Sequence, residues 1–95
     1  MLGIVRVSGS SMSPRFNSGD LLLVLRRVPA RWLKPGACVT VQHARFGPLI
    51  KQISVADSQG LRLCSLASIG LTEEQIGYIT PEEVRSLVIC RLSAA

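Results

Sequence analysis

The sequence predicts a mainly β domain: a small, strongly bent antiparallel sheet, barrel-like in outline, with one or two short helical turns. Three observations predict it. Apolar residues come in short runs, the longest being the five of Leu21–Leu25. Gly, Pro, Ser and Asn punctuate those runs, and these residues favour turns over helices. The 95 residues hold no repeat, linker or low-complexity tract, so residues 1–95 read as a single domain.

The elements follow in chain order. Gly3–Val7 is the first expected strand, and the turn-rich Ser8–Gly19 separates it from Asp20–Arg26. Leu21–Leu25 is far too short to span a membrane and reads as a buried strand. Pro29–Gly36 is turn-like and leads to a strand at Cys38–His43. Arg45–Gly47 turns the chain into Pro48–Val55, and Ala56–Gly60 turns it again into Leu61–Leu66. Thr72-Glu73-Glu74-Gln75 and Thr80-Pro81-Glu82-Glu83 both match a capping box, the second with proline at the first helical position. Val84–Leu92 is the sixth and last expected strand.

Composition narrows the function. Aromatics are 4%, too few for a stacking platform, while hydrophobic residues at 47% argue against a disordered tail. The net charge of +5 is lopsided: residues 1–52 carry eight basic groups against Asp20 alone, and residues 53–95 carry three against five acids. The basic groups are dispersed among apolar runs, with no block longer than Arg26-Arg27 and no nucleic-acid-binding signature. A nucleic-acid partner is therefore not expected. Cys38, Cys64 and Cys90 form no metal-binding spacing, so they read as small buried hydrophobes in a reducing compartment. No signal peptide or transmembrane segment is expected, and the localisation that follows is cytoplasmic. Association with a membrane surface or a partner stays open, given the apolar content.

Two residues stand out chemically. Nine of the eleven basic residues are arginine; the lysines are Lys34, in a turn, and Lys51. Period-two alternation places Leu49, Lys51, Ile53 and Val55 on one strand face. Lys51 then either snorkels to water from an edge, or is desolvated, which lowers its pKa and makes a neutral amine available as a base. The second residue is Ser11. Its loop is an ordinary chain reversal on composition, yet Met12 and Phe16 should pack, Pro14 stiffens it, and Gly19-Asp20 runs straight into a core strand. A rigid loop can aim a hydroxyl, which needs a base before it becomes a nucleophile. His43, the sole histidine, has no aspartate in evident relation to it and is expected at a strand end, half exposed. Lysine can replace histidine as the base for serine, so Ser11 and Lys51 are the candidate catalytic pair.

The residues around this pair resemble a known family. Gly9-x-Ser11-Met12-x-Pro14, then Gly19-Asp20-x-Leu22-x-Val24, is similar to the nucleophile box of the S26 signal peptidases, and to the looser version in the S24 self-cleaving repressor peptidases. Leu49-Ile50-Lys51-Gln52-Ile53 resembles the strand carrying their base, and Lys34-Pro35-Gly36 the turn that precedes the intervening strand. The resemblance runs from about Arg6 to Val55 and implies a bent β peptidase fold with a Ser–Lys dyad that uses no metal or cofactor. Ser11 would form the acyl-enzyme, with its backbone N–H helping to hold the oxyanion, and Lys51 would be the base. Arg15, Ala37 and Gln52 depart from the signal-peptidase pattern, and there is no late Asp-Ser-Arg box; Ser65 and Ser68 are the candidates for the hydroxyl that orients Lys51. The short soluble bacterial members, such as the maturation proteases of nickel superoxide dismutase, are a similar subgroup. The implied activity is a soluble serine endopeptidase cleaving a precursor protein in its N-terminal region. The alternative is a weak or inactive peptidase-fold module that binds proteins or forms a homodimer.

Overall fold

The structure is a computed structural model and describes residues 1–67 and 70–94. Among them, seven strands form one antiparallel sheet: β1 (Leu2–Arg6), β2 (Leu21–Arg26), β3 (Cys38–His43), β4 (Gly47–Asp57), β5 (Gly60–Cys64), β6 (Tyr78–Ile79) and β7 (Val84–Ser93). One short helix, α1 (Glu73–Ile76), and 3-10 turns at Ala30–Trp32 and Pro81–Glu83 complete the described elements. The strand order is β1-β2-β7-β3-β4-β5-β6. The fold is mainly β and antiparallel as expected, but the sheet is not closed into a barrel: β1 and β6 are its edges.

Tight turns fix the central register. His43 pairs with Gly47 and Val39 with Lys51, joining β3 to β4. Two residues connect Asp57 to Gly60, where the Asp57 carboxylate accepts the Gln59 N–H at 2.8 Å. Both expected capping boxes form. The Thr72 hydroxyl accepts the Gln75 N–H while the Gln75 side chain accepts the Thr72 N–H, which satisfies two helix-end donors of α1.

Alternation on β3 and β4 separates two apolar clusters, one on each face. Val39, Val41 and Ile53 join Leu33, Leu61, Leu63, Ile76 and Ile79 on one side. Cys38 joins Val7, Met12, Phe16, Leu22 and Val24 on the other. The serine loop is thus anchored in a core of its own, beneath β2.

Several expectations need correction. Val55 does not share the apolar face of Lys51; it is 37% exposed. A bulge sets Ser54 and Val55 against the single residue Arg62, and one extra residue turns the rest of the strand over. β5 stops at Cys64 rather than Leu66, because the Leu66 and Ala67 N–H groups leave the ladder to bond Ser11. β6 was not anticipated, being two residues long. Of the three cysteines expected to be buried, only Cys38 is; Cys64 is half-buried at the end of β5, and Cys90, on β7 opposite Leu23, is exposed. All three cysteines are unpaired. No helix among the described residues is long and apolar enough to cross a membrane.

Candidate active site

The loop carrying Ser11 is tied at its base and along its length. Val7 N–H donates to the Asp20 carbonyl at 2.8 Å, and Gly19 N–H donates to the Val7 carbonyl at 2.8 Å. The Asp20 side chain is 1% exposed and accepts from the Asn17 N–H at 2.9 Å and from Arg91 at 3.4 Å. Charge-assisted bonds of this kind give a buried carboxylate a reason to be there. Met12 is 1% exposed and makes the loop part of the core. At the other end, the Ser11 carbonyl accepts two N–H bonds, from Leu66 at 2.9 Å and Ala67 at 2.8 Å. That pair of hydrogen bonds staples the serine loop to the segment leaving β5.

Lys51 is the buried lysine of the two. It is 3% exposed, in the run where Lys51 and Ile53 point into one face. The snorkelling reading therefore fails, because the amine does not reach open water. Burial pushes the Lys51 amine below its ordinary value, opposed in part by Cys64. Burial also pushes the Cys64 thiol up, helped by Glu73 and opposed by Lys51.

The β4–β5 ladder pairs Gln52 with Cys64 and Ile53 with Leu63, so one further step sets Ser65 opposite Lys51. The Lys51 amine donates to Ser65 Oγ at 2.7 Å, and Ser65 Oγ in turn donates to the Leu71 carbonyl at 3.4 Å. Ser68, the other candidate for this role, lies outside the described residues. Ser11 lies nearby, across Gly70. A methyl group built on Gly70 would lie 3.2 Å from Ser11 Cβ, 3.7 Å from Lys51 Nζ and 3.8 Å from Ser65 Oγ. Ser11 Cβ and Lys51 Nζ are therefore separated by no more than the first two of these lengths end to end. Gly70 has φ +94, which glycine adopts without strain, and its bare Cα leaves the space where three side chains converge. A cavity of about 240 Å³ opens beside them, lined by Ser65, Ala67, Gly70, Leu71 and Glu73 among others.

His43 lies apart from this cluster. It ends β3, partly exposed, as expected. Its Nδ1 accepts N–H bonds from Arg45 at 3.0 Å and Phe46 at 3.2 Å, so the proton sits on Nε2, which donates to the Ile76 carbonyl at 3.0 Å. Both nitrogens are spent on holding a turn against α1. Four strand residues, on the order of 13 Å, separate it from the partner of Lys51.

Gly70 was not singled out from sequence, since a lone glycine after a strand carries no distinguishing pattern. Ser65 was one of two candidates; counting back from the β4–β5 turn alone sets Leu66 opposite Lys51, and the bulge between Ile53 and Val55 moves Ser65 into that position.

Neither the curated proteins nor the solved structures gave a match. A family model described as Peptidase S24-like matches residues 1–79. That span includes β1 to β6, the serine loop, Lys51, Ser65 and Gly70, and its agreement with the resemblance seen at Ser11 and Lys51 leads to one conclusion: the chain belongs to the peptidase S24-like family.

Proposed function

We propose that this chain is a serine endopeptidase in which Ser11 is the nucleophile, Lys51 the general base and Ser65 the residue that positions the amine. One observation carries the reading: a lysine 3% exposed shares the space over Gly70 with the serine of a rigid loop. A neutral amine has two N–H donors and one lone pair. Donation to Ser65 uses an N–H, and the lone pair is then available to Ser11. Lys51 takes the Ser11 Oγ proton as Oγ attacks the peptide carbonyl, and the carbonyl oxygen gains the charge. The Ser11 N–H helps hold that oxyanion. Collapse breaks the C–N bond, and the leaving amine takes the proton from the Lys51 ammonium. Lys51 next deprotonates a water, which attacks the ester; the acid leaves, and Ser11 regains its proton.

The substrate in this reading is a precursor protein cut in its N-terminal region, next to a small residue, as the family resemblance implies. Three unpaired cysteines support a cytoplasmic setting. Peptide or precursor cleavage should be lost in Ser11→Ala and in Lys51→Ala, and a serine-reactive probe should label Ser11. Equal cleavage by wild type and both variants would end the reading.

One observation favours a second reading, a binding or dimerisation module without turnover. The hydrogen bond of the Lys51 amine runs to Ser65 rather than to Ser11. Leu2 and Ile4 on edge strand β1, at 61% and 60% exposure, would suit a partner. Sedimentation combined with the probe separates the two: specific labelling of Ser11 speaks against the module.

A further inference from the structure

We infer that the groove across β1, β3 and β4 selects peptide segments bearing an acidic side chain, with Arg6 and Arg85 as specificity residues. As a statement about substrate, this rests on the peptidase reading; as a statement about binding, it rests on the groove alone. The groove encloses about 460 Å³ between the end of β1 and the start of β4, across β3. Val5, Leu49 and Ile50 supply apolar walls, and Thr40 adds a hydroxyl. Ser8 lines it three residues before Ser11, and Ile50 immediately precedes Lys51. Ser11 and Lys51 are not part of the lining; they follow Ser8 and Ile50 along the chain.

Arg6 and Arg85 are the charged residues of this lining, and it contains no carboxylate. Arg85 forms no ion pair among the described residues, whereas Arg62 and Arg91 do. Arg6 donates one bond to the Gly19 carbonyl at 3.1 Å, which leaves other N–H donors of its guanidinium unused. The single acid of the first 52 residues, Asp20, is engaged by Arg91. Two uncompensated positive charges beside low-dielectric walls focus a positive potential into the cleft. A carboxylate meets that potential and accepts the paired N–H geometry of guanidinium. Nucleic acid fits less well, because no aromatic ring lines the groove for a base to stack on.

The test uses alanine/valine decapeptides with a single Glu walked through each position, and matched Gln peptides. Binding is followed on Ser11→Ala by the amide resonances of Val5, Thr40 and Ile50, so turnover is not needed. In at least one register the Glu peptide should bind about fivefold tighter than its Gln counterpart. The advantage should shrink with added salt and vanish in the R6Q/R85Q double variant. Both arginines are exposed, so this variant should melt like the parent. Equal binding of Glu and Gln peptides, binding of neither, an advantage that survives the double substitution, or displacement by a single-stranded oligonucleotide would each overturn the inference. Turnover is read separately on the wild type. No cleavage with the Glu advantage intact removes the Ser–Lys reading and leaves the groove's selectivity standing; cleavage without a Glu advantage does the reverse.

Discussion

Burial disfavours the Lys51 ammonium in the folded chain, and that makes its chemistry measurable. The folded chain binds this proton less tightly than an unfolded chain, whose lysine titrates near 10.5. Below the lowered value both states are protonated and the fold bears the full penalty. Between the lowered value and 10.5 the unfolded state holds a proton that the folded state has lost, so stability rises with pH across that window. Lys51→Met, similar in length and never charged, should melt a few degrees higher at neutral pH while cleaving nothing. The gap should close as pH rises through the window. A gap independent of pH would show that the amine is not desolvated. Cleavage by the wild type should likewise rise with pH as the amine loses its proton, reaching its plateau below 10.5. Ser65→Ala should lower kcat about 10- to 100-fold with KM little changed, and should move that rising limb, because the amine loses its positioning partner. Ser65→Thr, which keeps the hydroxyl, should recover most of the rate. An unaltered pH profile in Ser65→Ala would reduce Ser65 to a packing role.

At the scale of elements, sequence periodicity located more than it could bound. Six strands and two capped turns were legible because each is an apolar run or a capping box between turn residues. Tyr78–Ile79 was not legible, since two residues carry no period; only pairing with Leu61 and Arg62 makes them a strand. The bulge at Ser54 was equally hidden, because it comes from the pairing of two strands and not from either one. Ser11 and Lys51 were legible as chemistry: a serine in a packed loop and a lysine in an apolar run each contradict their surroundings. What brings them together, the Ser11 carbonyl taking two N–H bonds from beyond β5, is backbone geometry that side-chain patterns do not encode. Two substitutions separate these elements. Met12→Ala should cost about 2–5 kcal/mol in urea denaturation, the usual range for emptying a fully buried site, and should slacken the serine loop. Thr72→Ala should cost about 1 kcal/mol, the worth of an N-cap, and leave the serine loop intact. Equal costs would mean that the loop is not anchored as its burial indicates.

At the scale of the molecule, the last strand lies in the middle. β7 pairs with β2 on one side and β3 on the other, and so joins the β1–β2 half to the β3–β6 half. The family match stops at residue 79, before this strand begins. A chain cut after Glu83 keeps every residue of the candidate site, yet it should lose cooperative melting and become sensitive to added protease. A sharp thermal transition in that fragment would show that the halves dock without β7. Chain order adds a temporal meaning to this arrangement. The ribosome completes Ser11 and Lys51 long before Val84–Ser93 emerges. Under the peptidase reading, the alcohol and the amine meanwhile lie in two flaps whose main seam is missing, and cleavage should wait until Val84–Ser93 has docked between β2 and β3.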